Sequence, residues 1–485
     1  MAERTRPHAI LVPFPAQGHI NPMMHLAHKL VDEGFVVSFL NTDYNHSRMA
    51  QGNTWIFENG THVRFVVVPD GLPASDTRTD IAKLCHVTEN VIVSFLDKLI
   101  SQMKEDEEDA EICLVTDTLA STALDVAKRH RIPMAALWTS LTATYAIFYN
   151  LPALVSTSAV PSDGVPTDFK MVKYLPFMPP LYSAYLPWVQ GFTQAQQEFL
   201  FPFTNRYMER VRELKWVLFN TFHDLEATVI EALLSQGASI CSVGPFIPSH
   251  LLNGDEQPEP TKEKTAGFWS EEPECLDWID RQSPRSVIYV SFGSLAVLNE
   301  AQVVELALGL EATERPFLWV LRSDLVDGTS AVFPPGFVER TKNRGCLVSW
   351  CPQLRVLSHP SVGCFITHCG WNSVVESISM GVPMLCWPYF ADQFLNRDYV
   401  VDVWRVGLPL NANRDGIIEK TEIQNKIDRI LKAEEDREIT KRAMIWKRSA
   451  KDAVKEMGSS SVNFGAFVNA IKKEMSNFAA EDSVP

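Results

Sequence analysis

A chain of 485 residues is long enough for two domains of ordinary size, each with its own core. Its 44 basic and 59 acidic residues leave a net charge of −15 without a long basic run, which argues against a nucleic-acid surface or an anionic membrane face. At 46% hydrophobic and 10% aromatic the chain reads as globular, and nine cysteines scattered from Cys85 to Cys386 fit a reducing cytoplasm better than a disulfide framework.

The first apolar run begins at Ala9 and is soon interrupted by Pro13, Pro15 and Gln17, too short and broken for a signal peptide or a membrane anchor. It reads instead as a strand, Ala9 to Phe14, followed by a loop in which Asn21 caps a helix and Pro22 is its first residue. Met23, Leu26, Ala27, Leu30 and Val31 recur at helical spacing, Gly34 ends the helix, and Phe35 to Leu40 is the next strand. A strand–helix–strand unit implies a parallel sheet. The same alternation continues with a strand over Ile112–Thr116, a helix over Thr122–Arg129 and a strand over Met134–Trp138.

Residues 249–272 are polar, Pro-containing and aperiodic, and read as a linker. Short buried strands are then expected over Ser286–Ser291, Pro316–Leu321, Cys346–Ser349, Gly363–Thr367 and Pro383–Trp387. Thr421 and Gln424 are spaced as a capping box, and a last helical stretch covers roughly Val462–Met475. The reading is thus a first Rossmann-like domain over 1–248, the linker, a second over 273–457, and a C-terminal helix in 458–485 that packs back toward the first domain. No G-x-G-x-x-G follows the first strand, which weighs against a nicotinamide or flavin enzyme. Cys364, His368 and Cys369 lack the C-x-x-C spacing of a metal knuckle.

The run from Trp350 to Gln393, WCPQLRVLSHPSVGCFITHCGWNSVVESISMGVPMLCWPYFADQ, carries the most chemistry. His368-Cys369-Gly370-Trp371-Asn372-Ser373 ends a strand and opens a helix, so backbone N–H groups there can meet a diphosphate. Gly370 allows close approach, and His368, Asn372 and Ser373 add donors; the plain alternative is an ordinary strand-to-helix turn. Trp350 can stack on a base or serve as a core tryptophan. Glu376 can accept both hydroxyls of a ribose or face solvent, and Asp392 with Gln393 suits sugar hydroxyls.

In order and spacing this run closely resembles the signature box of plant secondary-product UDP-dependent glycosyltransferases, glycosyltransferase family 1. The resemblance implies a GT-B fold, two doubly wound Rossmann-like α/β domains facing a cleft, with UDP-glucose as co-substrate and neither metal nor other cofactor. It assigns uracil stacking to Trp350, base reading to the backbone of Cys351 (where the family more often has Ala), and ribose contacts to Gln353 and Glu376. Ser294, in VSFGS, and Gly18 join the donor contacts, and Thr139 matches a threonine that touches the sugar or β-phosphate. A final Gln at 393 and Trp371 within the box follow the glucosyl pattern.

An acceptor hydroxyl needs a base near neutrality, and a histidine oriented by a carboxylate supplies one. His19, in the first strand-to-helix segment, and Asp117, ending ICLVTD, match the family's pair. Phe14, Phe95, Phe148 and Phe199, with Tyr185, Trp188 and Phe203, lie in segments that the family uses for the acceptor, although core packing explains any of them equally well. The expectation is an inverting, cytoplasmic and monomeric enzyme that glucosylates a small flavonoid, phenolic or terpenoid, without nucleic-acid or membrane partners. A UDP-sugar epimerase of the same architecture and a non-catalytic UDP-sugar sensor are the competing readings; the first lacks a use for His19 and the aromatics, the second for an intact pair.

Overall fold

Runs of Val, Ile, Leu and Ala without polar alternation suit strands covered on both faces, and such strands build both main sheets of the computed structural model. The structure describes residues 6–52, 63–106, 111–253, 274–294, 296–321, 333–432 and 437–482. The chain forms two compact units, one taking it to Phe246 and again from Ala453, the other the described residues between Ile247 and Asp452.

The first unit has β1 (His8–Val12), β2 (Val36–Thr42), β3 (Val63–Val68), β4 (Ile112–Asp117), β5 (Met134–Trp138), β6 (Met171–Val172), β7 (Leu181–Tyr182), β8 (Trp216–Phe219) and β9 (Cys241–Ser242). Its parallel seven-stranded sheet runs β3-β2-β1-β4-β5-β8-β9, and β6–β7 is a separate antiparallel pair. The order reverses between β1 and β4, paired from His8↔Ile112 to Val12↔Thr116. Beyond the carboxyl ends of the strands at such a reversal is where open α/β sheets bind ligands.

The second unit has β10 (Val287–Ser291), β11 (Phe317–Val320), β12 (Gly345–Val348), β13 (Val362–Thr367), β14 (Met384–Cys386) and β15 (Gly407–Pro409). They pair in parallel as β12-β11-β10-β13-β14-β15, with the reversal between β10 and β13. Its core gathers Ile288, Val290, Trp319, Ile366 and Leu385 from the strands with Leu306 and Leu310 from the helix Glu300–Ala312.

Three local expectations are corrected. The first helix starts at Gln17, not beyond Asn21, and runs to Asp32 with Pro22 inside it; the His19 and Ile20 N–H groups bond back to Ala16. Ala16 offers no side-chain cap, so nothing in its composition announces that start. Thr421 is not a cap but lies within the helix Lys420–Lys432; the Lys420 N–H is met by Glu305, and the Gln424 amide donates to the Ala312 carbonyl of another helix. Of the expected linker, Ser249–Asn253 is helical and residues 254–272 lie outside the described residues.

The last helix, Ser459–Asp482, is longer than its periodicity suggested. Phe464, Phe467, Val468, Ile471 and Met475 join Leu11, Leu26, Val115 and Leu218 in the first unit's core. Asn463 donates to the carbonyl of Ser242 at 3.0 Å, and Lys215 pairs with Glu474 at 2.8 Å. Among the described residues no helix is long and apolar enough to cross a membrane.

Candidate active site

Three adjacent strands of the first unit end on three polar side chains. Asp117, the last residue of β4, is wholly buried; one of its oxygens accepts the Leu119 N–H at 2.9 Å, capping the short turn that follows. Its other oxygen lies 2.7 Å from Nδ1 of His19, which stands in the first turn of the helix after β1, 98 residues earlier. Thr139, just beyond β5, brings its hydroxyl to 3.0 Å from the same Nδ1. The Phe14 ring meets the imidazole edge-on, with centroids 5.1 Å apart. A carboxylate accepting from Nδ1–H fixes the tautomer in which Nε2 carries the lone pair, and His19 keeps 28% of its side-chain surface. Gly18 is exposed, and a Cβ there would meet nothing within 4 Å, so packing within the unit does not demand glycine.

In the second unit the signature run surrounds its own sheet reversal. Gly370 caps the helix Trp371–Met380 without any side-chain help, and the first intrahelical bond is from the Val374 N–H, so the N–H groups of 371–373 project from the end of β13. Cys369 before it has φ +64°, a left-handed conformation costing a branched Cα about 1–2 kcal/mol. It is held there by the Thr367 hydroxyl on its N–H (3.2 Å) and the buried Asn396 amide on its carbonyl (2.8 Å). The His368 ring lies between two glycine backbones: a Cβ on Gly293 would stand 2.6 Å from it, and one on Gly370 2.4 Å. Gly293 itself has φ +69° and precedes half-buried Ser294.

The ribose candidates bond to one another. Gln353 donates to Oε2 of Glu376 at 2.7 Å and to the Ser373 hydroxyl at 3.1 Å, and accepts from the Tyr289 hydroxyl at 3.1 Å. Burial pushes the Glu376 carboxyl up to about 7, with the Gln353 amide acting the other way. Extra hydroxyl donors on that carboxylate would lower it again. Asp392 accepts from Asn396 at 3.0 Å, and Oε1 of Gln393 accepts the N–H groups of Tyr389 (2.8 Å) and Phe390 (3.2 Å). The Gln393 oxygen is thus occupied in its own turn, and what its amide offers a ligand is Nε2.

Trp350 is half-buried rather than a core residue, Cys351 is buried with its sulfur 3.4 Å from the Tyr289 hydroxyl, and Asn372 is half-buried. Trp371 is a core side chain, 3% exposed and tilted against Trp404. Among the described residues no group of three or more His, Cys, Asp or Glu is placed to hold a metal ion.

Residues 18–448 match the family model described as "UDP-glucoronosyl and UDP-glucosyl transferase". The chain belongs to that family. It is 37% identical to UDP-glycosyltransferase 85A1 of Arabidopsis thaliana over 96% of each chain, and 35% identical to 7-deoxyloganetin glucosyltransferase of Gardenia jasminoides over 94% of this chain and 95% of that one. Among solved structures it resembles Phytolacca americana UGT2 complexed with UDP-2fluoro-glucose and pterostilbene, with TM-score 0.77, 29% identity, and coverage of 96% of this chain and 100% of that one. The chain is therefore a UDP-glycosyltransferase of the plant secondary-product type, and its two parallel-sheet units are those of the GT-B fold.

Within this UDP-glycosyltransferase, the expected acceptor aromatics do not behave as one set. Phe14 stands against His19. Phe148 (9% exposed) packs among Trp138, Trp188 and Tyr207, while Phe199 is half-buried and stacked on Phe203. Trp188 and Phe203 are fully buried core residues, and Phe95 is half-buried on the helix Val93–Asp106. Tyr289 and Asn396, which hold Gln353, Asp392 and Cys369, were missed; the sheet brings Tyr289 to Gln353, whereas Asn396 stands one helical turn after Asp392, just past the end of the signature.

Proposed function

We propose that this UDP-glycosyltransferase transfers glucose from UDP-glucose, with inversion, to a hydroxyl of a small plant secondary metabolite, a flavonoid, phenolic or terpenoid, and that His19 is the general base. The supporting observation is the 2.7 Å bond between His19 Nδ1 and the buried Asp117 carboxylate. With donor and acceptor bound, Nε2 takes the acceptor proton as its oxygen attacks the anomeric carbon. The bond from that carbon to the β-phosphate oxygen breaks, and UDP leaves with the electron pair. Asp117 steadies the imidazolium so formed.

The donor is held by the second unit: uracil on Trp350, ribose on Glu376 and Gln353, diphosphate at the start of the helix Trp371–Met380, sugar hydroxyls by Asp392 and Gln393. Preorganised N–H groups meet the diphosphate charge in this reading, and no metal is required. Relatives named for 7-deoxyloganetin, and a solved relative holding pterostilbene, favour a compact hydroxylated acceptor. The test is UDP release from UDP-glucose with and without a panel of flavonoids, simple phenols and terpenoid alcohols. Acceptor-dependent release with a product heavier by one hexose is expected; release without any acceptor would replace transfer with hydrolysis or epimerase-like chemistry.

A further inference from the structure

The turn that brings Thr139 to His19 is anchored from outside by a carboxyl that the mechanism above does not use. Glu226 is 3% exposed and sits where the helix His223–Ser235 breaks, its own backbone at φ −127°, ψ 23°. Its two oxygens accept from the start of a helix 84 positions away, Oε1 from the Thr142 N–H and Oε2 from the Thr142 hydroxyl, both at 2.7 Å, with the Ala143 N–H and the Thr221 hydroxyl also facing the carboxyl. Thr142 opens the helix Thr142–Tyr149, whose capping position is Leu141. The N–H groups of a first turn require an acceptor, and leucine has none to offer. Glu226 supplies it across space.

Only Thr139, Ser140 and Leu141 separate Thr142 from β5, and the segment is tied at its other end too. The Trp138 indole donates to the Leu141 carbonyl at 3.1 Å, and Asn220 N–H approaches the Trp138 carbonyl at 3.4 Å. With both ends fixed, the Thr139 hydroxyl has little freedom to leave its place 3.0 Å from His19 Nδ1. Asp117 alone sets the direction in which Nδ1 points, whereas a second contact on the same atom also restrains rotation of the ring.

We infer that Glu226 is a positioning residue for glycosyl transfer: it caps the helix Thr142–Tyr149 in place of Leu141, locks the 139–142 turn, and through Thr139 holds the imidazole of His19 in register. This rests on the reading of His19 as the base. Burial pushes the Glu226 carboxyl up to about 7, and both protonation states can keep the anchor, because the Thr142 hydroxyl donates to a carboxylate or accepts from a carboxylic acid. Glutamine keeps it in the same way, its oxygen on the Thr142 N–H and its amide donating to the hydroxyl.

The experiment is a mutant cycle on the full chain with an aliphatic alcohol acceptor identified by the panel above. The variants are Glu226→Ala, Glu226→Gln, Thr139→Val, the Glu226→Ala/Thr139→Val double and His19→Ala, each read as kcat, acceptor KM, UDP Kd and Tm. A misplaced base lowers rate more than binding, so Glu226→Ala is expected to lower kcat about tenfold with UDP Kd unchanged. Glu226→Gln should stay within about twofold of the unmodified enzyme, and the double variant should be no slower than the slower single. A merely structural role would lower Tm while the two kcat losses multiplied; that outcome, or an unchanged kcat in Glu226→Ala, overturns the inference. If Glu226→Ala does not fold, Glu226→Asp keeps the charge, shortens the reach by one methylene and gives the same readouts. Full activity in His19→Ala would instead remove the base assignment itself, so the two failures are told apart.

Discussion

Both sheets place their chemistry at the same topological position and equip it differently. At the reversal between β1 and β4, His19, Asp117 and Thr139 come from three distant segments and are joined to one another by the fold itself. At the reversal between β10 and β13, most of the groups come from one contiguous run, and Gln353, Ser373 and Glu376 bond to each other. Under the proposed function the contrast follows from what each must do. A base has to be aimed and its tautomer set in advance, so its partners are built into the fold. Groups proposed to grip a nucleotide sugar can bond to one another and still offer it further partners.

The hardest test of this division is His19→Ala. Removing a general base typically costs ~10²–10⁴ in rate, so kcat for alcohol acceptors should fall by that order while UDP affinity, read by calorimetry, stays within about twofold. Parallel loss of UDP binding would break the separation of roles. Next in size is Gly293→Ala, which puts a side chain on a left-handed residue and a Cβ 2.6 Å from the His368 ring. Strain of ~1–3 kcal/mol should appear as roughly 5- to 150-fold weaker UDP binding or an equivalent loss of stability, measured by titration and thermal melting.

Glu376 sharpens the comparison through pH. With its carboxyl at about 7 in the folded protein, the unfolded chain releases this proton at lower pH than the folded one does. The stabilisation that the residue contributes is full below about 4.5 and is lost as pH rises through about 7. Ribose donors favour the charged form, so UDP binding should expel a proton below pH 7 and tighten up to about tenfold from pH 6 to pH 8. Glu376→Gln should flatten that part of the profile; an identical slope in both proteins would remove the ribose role. The smallest effect is expected from Gln393→His, which should weaken glucose use several-fold in donor competition with little change in UDP Kd, since one hydrogen bond is worth ~0.5–1.5 kcal/mol.

The contiguous region was legible and the dispersed one was legible only in part. β5 lies where its unbroken apolar run placed it, Met134–Trp138, and β13 differs from its expected span by a single residue, because buried parallel strands carry a strong and local signal. The helix start at Gln17 was not, since its cap is an alanine, and neither was the start near Lys420, where Glu305 supplies the acceptor from another helix. His19 and Asp117 were found by resemblance, not by spacing. Glu226 had no signature at all: its meaning lies in Thr142, and nothing short of the folded sheet brings the two together. Trp371 carries two signals at once, a place in the signature and an indole that packs in the core.

The last helix carries a consequence for how the molecule is made. Phe464, Phe467, Val468, Ile471 and Met475 complete the apolar core beneath β1 and β4, yet they leave the ribosome after every strand described in either unit. The second unit has all of its strands by then, whereas the first, begun at residue 8, still lacks one wall. Domains usually fold as they emerge, amino-terminal first; here the earlier half must wait for the later one. A nascent chain stalled before residue 464 would thus expose apolar surface on the unit that carries His19, so a lesion in this helix would be felt by strands made long before it.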